Sequence, residues 1–486
     1  MILLKDKISA EPGFQYVIDQ MELMSAAGRR RMLMQPFVVE RGELEREYDN
    51  IGRVAECLAR PEANRDVAVV RHQLMQMHDL QGSLSNLSQR MVMEEIELFE
   101  IKNLAFLCMT TAKAASSLGI ADILDLPDLG EVFALLDPDA TQIPNFYIYD
   151  SYHPDLGPLR RELKARQMQL DTFKGSDDER AALQREVNDL FERQNNIQQQ
   201  VVIQLSDKLF AFCQPLQKAF DRMAYTDFLF ARATMACDWR LCRPRLVDDR
   251  TGFRSLWNPR LRRHNEELGL RYQPVDISLR RGVCLITGAN MAGKTVMLKT
   301  VGIAQMMAQF AMYVPADEAS ITPVDDVVFC IGDEQNEMNG LSSFASEIIK
   351  ISDTVTRAAN EHLLILIDEP ARTTNPVEGK AIVQSVATLL ERCPSTTLIT
   401  THYSQLGLGC RRLRVKGFVE DLATTPLTPD NINSFMDYSL LDDDSDEVPQ
   451  EALRIASILR CNKQLLDTAA QFLKQQPHFA RNAKKY

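Results

Sequence analysis

The segment from Gly288 to Thr295, which reads Gly-Ala-Asn-Met-Ala-Gly-Lys-Thr, constrains the fold more than any other part of the sequence. It follows an apolar run, 283–287, that is typical of a buried strand, and it opens a helical pattern over 296–312. Glycines at such a junction let successive backbone N–H groups point at one anion, and the helix N-terminus adds partial positive charge. The segment therefore predicts a phosphate-binding loop, with a chance match to the pattern as the alternative.

The side chains of this loop predict a nucleotide together with a divalent cation. Lys294 is expected to reach the β- and γ-phosphates, and the Thr295 hydroxyl is expected to ligate Mg²⁺. We therefore predict ATP and Mg²⁺ as the ligands. The predicted nucleotide-binding residues of the loop are Gly288, Ala289, Asn290, Met291, Ala292, Gly293, Lys294 and Thr295.

Two further short patterns follow apolar runs in the second half of the chain. Asp368 and Glu369 end the run Leu363–Ile367, where an aspartate can hold Mg²⁺ and the next glutamate can deprotonate an attacking water. Capping of the following turn is the alternative. His402 follows the run 397–400, where a neutral imidazole can contact the γ-phosphate or the water, with a structural histidine as the alternative. The predicted catalytic residues are Glu369, His402 and Lys294, and the predicted metal ligands are Thr295 and Asp368.

Helical spacing of apolar residues dominates the first half of the chain. Residues 1–240 are predicted to form a helical core that contains a long hairpin with its tip at Lys174–Ser176. Ser176 and Glu179 fit a capping box at the start of the second arm. The narrow apolar stripe of that arm is interpreted as simple helix packing, and a lever between distant sites is the alternative.

The second half alternates short apolar runs with helical windows. Residues 241–430 are therefore predicted to form an α/β domain with a largely parallel sheet between helices. Residues 431–486 hold an acidic run, Asp442–Glu447, interpreted as a loop, and then two short helices over about 450–475. The predicted fold class is a helical core and lever domain, followed by an α/β ATPase domain and a C-terminal helical segment.

Composition narrows the class of protein. The formal net charge is −12, which argues against coating nucleic acid through bulk charge and leaves local basic patches open. Ten cysteines contain no C-x-x-C pair, so reduced thiols are favoured over a zinc site. The sequence has no signal-peptide pattern and no apolar stretch of roughly 18 residues. We therefore predict a cytoplasmic protein without a membrane partner.

Several of these motifs together resemble the MutS family of ABC-class ATPases, whose members include DNA mismatch-repair proteins. The resemblance covers about 240–475, and it is weaker in the helical half, where it is found mainly around Asp227–Ala233. The segments that carry it are Thr287–Thr295, Tyr313–Ala316, Gly340–Phe344 with Glu347, Ile367–Glu369 with Arg372 and Thr374, and Thr401–Tyr403.

The resemblance implies an ABC-type ATPase domain and a dimer, either of identical subunits or with a paralogue, with two composite ATP sites. Ser342 and Ser343 would contact the γ-phosphate bound by the opposite subunit, and the loop Arg372–Glu378 would couple the two sites. An aromatic residue would stack on adenine, for which Tyr272 is a candidate. The C-terminal helices would help to hold the dimer through Ile458, Leu459, Leu465, Leu466 and Phe472. The alternative is that these side chains pack into the core of the monomer.

Departures from the family pattern leave two functions open. We expect a truncated member that lacks three parts: the mismatch-reading domain, the DNA clamp and a C-terminal endonuclease-like domain. The tight turn Lys174–Asp178 at the tip of the hairpin leaves no room for the clamp. The first hypothesis is an ATP-driven switch acting on DNA, for which the basic clusters are few: 29–31, 160–164 and 260–263. The second is a remodelling ATPase for a protein client, similar to factors suspected of reactivating cobalamin-dependent aminomutases.

Overall fold

The chain is a mixed α/β protein in a computed structural model that describes residues 2–143, 145–288, 292–332, 343–418, 435–443, 453, 456–457 and 461–475. The helices are α1 (Leu4–Lys7), α2 (Pro12–Asp19), α3 (Ala26–Leu33), α4 (Arg41–Ala59), α5 (Asn64–Met75), α6 (Gln81–Ser88), α7 (Glu95–Leu118), α8 (Ala121–Leu124), α9 (Gly130–Leu136), α10 (Leu156–Asp171), α11 (Asp177–Phe210), α12 (Cys213–Asp238), α13 (Pro259–Glu267), α14 (Lys294–Gln309), α15 (Ser343–Ala358), α16 (Pro376–Leu390) and α17 (Lys463–Gln475). The strands are β1 (Arg245–Leu246), β2 (Arg250–Leu256), β3 (Val275–Arg280), β4 (Gly282–Thr287), β5 (Glu318–Ile321), β6 (Asp326–Cys330), β7 (Leu363–Asp368), β8 (Thr396–Thr400), β9 (Arg411–Phe418) and β10 (Met436–Asp442).

The chain divides into two compact units whose boundaries differ from those expected. One unit comprises Met1–Met21, Gln35–Asp49 and Met235–Tyr486, and the other comprises Glu22–Met34 and Asn50–Thr234. The expected helical domain 1–240 therefore loses its first segments to the α/β unit. The expected boundary at residue 430 also lies inside that unit, because β10 pairs with β9. For the same reason Asp442, expected in a loop, ends a strand.

The helical unit contains the predicted hairpin, formed by α10 and α11. Ser176 and Glu179 form the capping box, each side chain accepting a hydrogen bond from the other residue's backbone N–H. Buried leucines and a valine pack between the two arms; they are Leu159, Leu163, Val187 and Leu190. The part of the stripe around Val187 and Leu190 is thus occupied by packing between the arms, which agrees with the simpler interpretation for that part.

The α/β unit contains two sheets. A four-stranded sheet has the order β1-β5-β2-β3, and a six-stranded sheet has the order β10-β9-β4-β8-β7-β6. Strands β9, β4, β8, β7 and β6 run parallel, and β10 is antiparallel to β9. Residues 363–367 of β7 and 282–287 of β4 are buried along their whole length, as expected for parallel strands covered on both faces.

Helix α14 is buried over most of its length, and the N-terminal segments of the chain help to enclose it. A Cβ at Gly13 would lie 2.6 Å from Cδ1 of Ile303, so α2 lies directly against α14. The buried Gln309 amide donates to the carbonyls of Val38 (3.0 Å) and Val324 (2.8 Å). These contacts explain why residues from the start of the chain belong to the α/β unit.

Candidate functional site

The strand order brings the predicted catalytic segments to one edge of the six-stranded sheet. The glycine-rich segment 288–295 follows β4, Asp368 ends β7, and His402 follows β8. These three strands are neighbours in the order β4-β8-β7 and run parallel, so their carboxyl ends meet. In α/β sheets this edge is where ligands bind.

The backbone of the glycine-rich segment has the left-handed conformations that its glycines allow. Gly288 has φ +148° and Gly293 has φ +75°, and Gly293 is the N-cap of α14. A Cβ at Gly293 would lie 3.1 Å from the ring of Tyr438. Both positions therefore need glycine. The other predicted residues of the segment, Ala289, Asn290 and Met291, lie outside the described residues.

Lys294 is buried at the start of α14, and its amino group faces the loop. Its Nζ donates to the carbonyl oxygen of Gly288 (2.9 Å) and lies 3.4 Å from Oε1 of Glu369. A buried ammonium beside a helix N-terminus gives this edge of the sheet a concentrated positive charge. Ala292 beside it is also buried.

Thr295 and Asp368 form a direct pair across the two strand ends. The Thr295 hydroxyl donates to Oδ2 of Asp368 over 2.8 Å. A hydroxyl and one carboxylate fit Mg²⁺, which keeps several waters and takes its remaining ligands from nucleotide phosphates. Within the described ranges there is no cluster of three or more His, Cys, Asp and Glu side chains that could form an all-protein metal site.

Glu369 lies in the turn after β7, with three cationic or titratable groups around its carboxylate. Lys294 approaches Oε1, while Arg372 (3.8 Å) and Nδ1 of His402 (3.9 Å) approach Oε2. Its backbone has φ +43°, and its N–H donates to Oγ1 (2.9 Å) and to the carbonyl (3.2 Å) of Thr400. The carboxylate is thus held in a strained turn at the mouth of the loop.

The side chain of His402 is 40% exposed, and its ring lies 4.3 Å from the ring of Tyr403 with an angle of 35° between the two planes. Burial lowers the pKa of His402 below its ordinary value of 6.5, and the charges of Lys294 and Arg372 lower it further against the opposing effect of Glu369. The imidazole is therefore neutral at pH 7, which allows it to both donate and accept a hydrogen bond.

A cavity of about 250 Å³ opens beside Gly293 and the first turn of α14. Its wall combines apolar side chains, among them Leu256, Val296 and Val415, with the rings of Tyr272 and Tyr438 and with several polar side chains. The sequence suggested Tyr272 but gave no sign of Tyr438, which is on β10. A cavity with apolar and aromatic walls and a few polar groups next to the glycine-rich segment has the lining that a nucleobase prefers.

The residues expected at a subunit interface are only partly described. Ser342 lies outside the described residues, and Ser343 begins α15. Further along α15, Oε1 of Glu347 accepts a hydrogen bond from the backbone N–H of Ala371 over 3.0 Å, which ties this helix to the turn of Glu369. Of the C-terminal residues, Ile458 and Leu459 lie outside the described residues, whereas α17 exposes Leu465 and Phe472.

The basic clusters expected to touch DNA contain several arginines that are already paired with carboxylates. The pairs are Arg30 with Asp79, Arg160 with Asp150 (2.6 Å), Arg262 with Glu266 (3.1 Å) and Arg263 with Glu267 (3.0 Å). Local pairing reduces the positive potential that a phosphate backbone would meet. None of the helices in the described ranges is long and apolar enough to cross a membrane.

Comparison with known proteins is consistent with this site. The sequence profile of the family "MutS domain V" matches residues 284–475, less than half of the chain. A curated relative, Endonuclease MutS2 of Caldanaerobacter subterraneus subsp. tengcongensis, is 33% identical over 227 residues, which are 46% of this chain and 28% of the relative. Endonuclease MutS2 of Geobacillus thermodenitrificans is 36% identical over 211 residues, 43% of this chain and 26% of the relative. The matched region spans about a quarter of the length of these relatives.

Proposed function

We propose that this chain, whose residues 284–475 match the MutS domain V family, is a MutS-type ATPase that binds ATP and Mg²⁺ at the site around Lys294 and Asp368. The observation that carries the proposal is a pair of contacts at this site: the Thr295 hydroxyl donates to Asp368 over 2.8 Å, and the Lys294 amine lies 3.4 Å from the carboxylate of Glu369. These residues come from two strand ends separated by one strand, and they are the residue types that phosphoryl transfer uses for the phosphates, the metal ion and the attacking water.

Each side chain has a distinct role in the proposed reaction. Lys294 leaves the Gly288 carbonyl and neutralises the β- and γ-phosphates. Thr295 and Asp368 would hold Mg²⁺, which supplies charge neutralisation at the phosphates. Glu369 accepts a proton from the attacking water, and its short distance to the loop supports this role. The neutral imidazole of His402 hydrogen-bonds the γ-phosphate or that water.

The cavity beside Gly293 is the proposed base site. The ring of Tyr438 lies next to Gly293, so a base attached to the bound phosphates would lie against Tyr438. Tyr272 forms another part of the wall, and its hydroxyl accepts a hydrogen bond from the backbone N–H of Asn258 (2.8 Å). The fixed hydroxyl keeps the Tyr272 ring in place as a wall of the cavity.

We further propose a dimeric switch that acts on DNA. The dimer would use Ser342, Ser343 and the exposed apolar side chains of α17. DNA as the client follows from the resemblance to the MutS family, whose members include DNA mismatch-repair proteins, and from the similarity to relatives named MutS2. Their endonuclease activity is not carried over, because the match covers only about a quarter of their length. No observation on the described residues favours an aminomutase as client.

ATP binding and turnover of three variants test the ATPase proposal. Lys294→Ala is expected to lose ATP binding, and Glu369→Gln is expected to bind ATP while losing turnover by about 100-fold or more. Glu318→Gln serves as the matched control, because it removes an exposed carboxylate that pairs with Arg254. Both residues are on the four-stranded sheet, away from the candidate site on the six-stranded sheet. Turnover of Glu369→Gln equal to that of Glu318→Gln would exclude Glu369 as the base.

DNA binding by the Glu369→Gln protein tests the client. Homoduplex, mismatched, branched and single-stranded DNA are compared at low salt, each with and without ATP, because salt suppresses contacts to phosphates. ATP-dependent binding that differs among these DNAs supports the DNA switch. Dimerisation on ATP without binding to any of them rejects DNA as the client and leaves the ATPase proposal standing.

A further inference from the structure

Thr400 lies at the centre of the site, although no part of the sequence motif marks it. It ends β8, the strand that separates β4 from β7, and it is fully buried. In the sheet it is paired with Ile286 on one side and with Asp368 on the other. Its backbone therefore lies between the strand that leads to the glycine-rich segment and the strand that ends at Asp368, just before Glu369.

The Thr400 hydroxyl is engaged by both acidic residues at once. It donates to Oδ1 of Asp368 over 2.5 Å, and it accepts the backbone N–H of Glu369 over 2.9 Å. A hydroxyl has one proton, so Thr400 donates that proton to the Asp368 carboxylate and accepts the Glu369 N–H with a lone pair on its oxygen. Since Thr295 donates to Oδ2, both oxygens of Asp368 are held by hydroxyl groups from different elements.

The second hydrogen bond acts on a backbone conformation that a glutamate adopts at a cost. Glu369 has φ +43°, in the left-handed region that is unfavourable for residues other than glycine. The direction in which the Glu369 side chain points toward the phosphate loop depends on this turn, because the backbone conformation at Glu369 sets the direction of its Cα–Cβ bond. An acceptor at Thr400 Oγ1 therefore stabilises the turn that aims the Glu369 carboxylate.

We propose that Thr400 is a positioning residue for ATP hydrolysis, which orients Asp368 for the metal ion and Glu369 for the water through one hydroxyl. This inference rests on the proposed ATPase function. In this role Thr400 does not contact the nucleotide itself.

Burial of a threonine on this strand does not by itself explain the arrangement. Thr397 is also on β8 and fully buried, yet its Oγ1 has no hydrogen-bond partner among the described residues. A hydroxyl is thus tolerated inside the sheet without a partner. The two bonds of Thr400 arise from its place beside Asp368, and Thr397 provides a control of equal chemistry three residues away.

The test compares Thr400→Val, which keeps the shape and removes the hydroxyl, with Thr400→Ser, which keeps the hydroxyl, and with Thr397→Val. Four quantities are measured: melting temperature without nucleotide, ATP binding in EDTA, the Mg²⁺ concentration for half-maximal turnover, and kcat. Loss of hydrogen bonds to a charged group predicts that Thr400→Val lowers kcat and raises the Mg²⁺ requirement by about 10- to 100-fold. ATP binding in EDTA is expected to stay within about twofold, because the loop itself is unchanged.

Two comparisons separate positioning from general stability. Thr400→Ser is expected to recover most of kcat and of the Mg²⁺ dependence, while Thr397→Val matches the unmodified protein in both. If Thr400→Val does not fold, Thr400→Ala replaces it, since alanine removes the same hydroxyl without an added methyl group beside the carboxylate.

The outcomes distinguish this inference from the function on which it rests. Turnover and Mg²⁺ dependence of Thr400→Val or Thr400→Ala that equal those of the unmodified protein overturn the role of Thr400 and leave the ATPase intact. An equal loss in Thr397→Val also overturns it, because the effect would then be one of packing. Absence of turnover in the unmodified protein overturns the proposed function and this inference together.

Discussion

Replacing Gly302 with alanine is expected to disturb the helix that carries Lys294 and Thr295. A Cβ at Gly302 would lie 2.4 Å from Cζ of Phe329 and 2.6 Å from Cδ1 of Leu366. Both neighbours are buried in the six-stranded sheet, so neither can move without disturbing its own packing. Overpacking costs about 1–3 kcal/mol, and two close contacts favour the upper half of that range. Alanine offsets about 1 kcal/mol through its helix propensity, which leaves a net loss of about 1–2 kcal/mol.

Thermal unfolding and ATP binding measure this effect. At about 2–4 °C per kcal/mol, the melting temperature of the α/β unit is expected to fall by roughly 2–8 °C, and ATP binding is expected to weaken because α14 shifts. Gly82→Ala is the matched control, since Gly82 is also helical and nothing lies within 4 Å of its Cβ position. A Gly302→Ala protein as stable as the Gly82→Ala protein would refute the argument from packing.

Three other predictions follow from the buried and aromatic groups. Tyr438→Ala is expected to weaken ATP binding by about 5- to 100-fold through lost stacking, and Tyr438→Phe is expected to preserve it, as equilibrium titration would show. Lys102→Met leaves the buried Asp137, 3.0 Å from the Lys102 amine, without its cation. Urea unfolding should show a loss of about 3–5 kcal/mol, and a loss below about 1 kcal/mol would contradict this. The imidazole of His402 is expected to titrate below pH 6.5 by NMR, so its contribution to stability is complete above pH 6.5 and is lost as pH falls below it.

Patterns within a short stretch of sequence predicted the elements that depend on local physics. The capping box at Ser176, the hairpin of α10 and α11, and the buried strands β4 and β7 all follow from spacing and composition over a few residues. The convergence of Lys294 with Glu369 was predictable in the same way, because each follows a recognisable strand. The domain boundaries could not be predicted from local patterns. The attachment of residues 2–21 to α14 depends on contacts between residues nearly 300 positions apart, such as Gly13 with Ile303.

The residues that sequence reasoning missed share one property, which is that their positions depend on strand order. Tyr438 lies next to Gly293 of the glycine-rich segment because β10 pairs with β9, and β9 pairs with β4. Thr400 reaches Asp368 because β8 lies between β4 and β7, so that a residue in the last position of β8 is opposite the last residue of β7. The motif residues supply the charged side chains and the proposed metal ligands, which are recognisable by residue type. The residues that orient them are ordinary, and their function follows from register: moving Thr400 by one position would turn its hydroxyl to the other face of the sheet, away from Asp368.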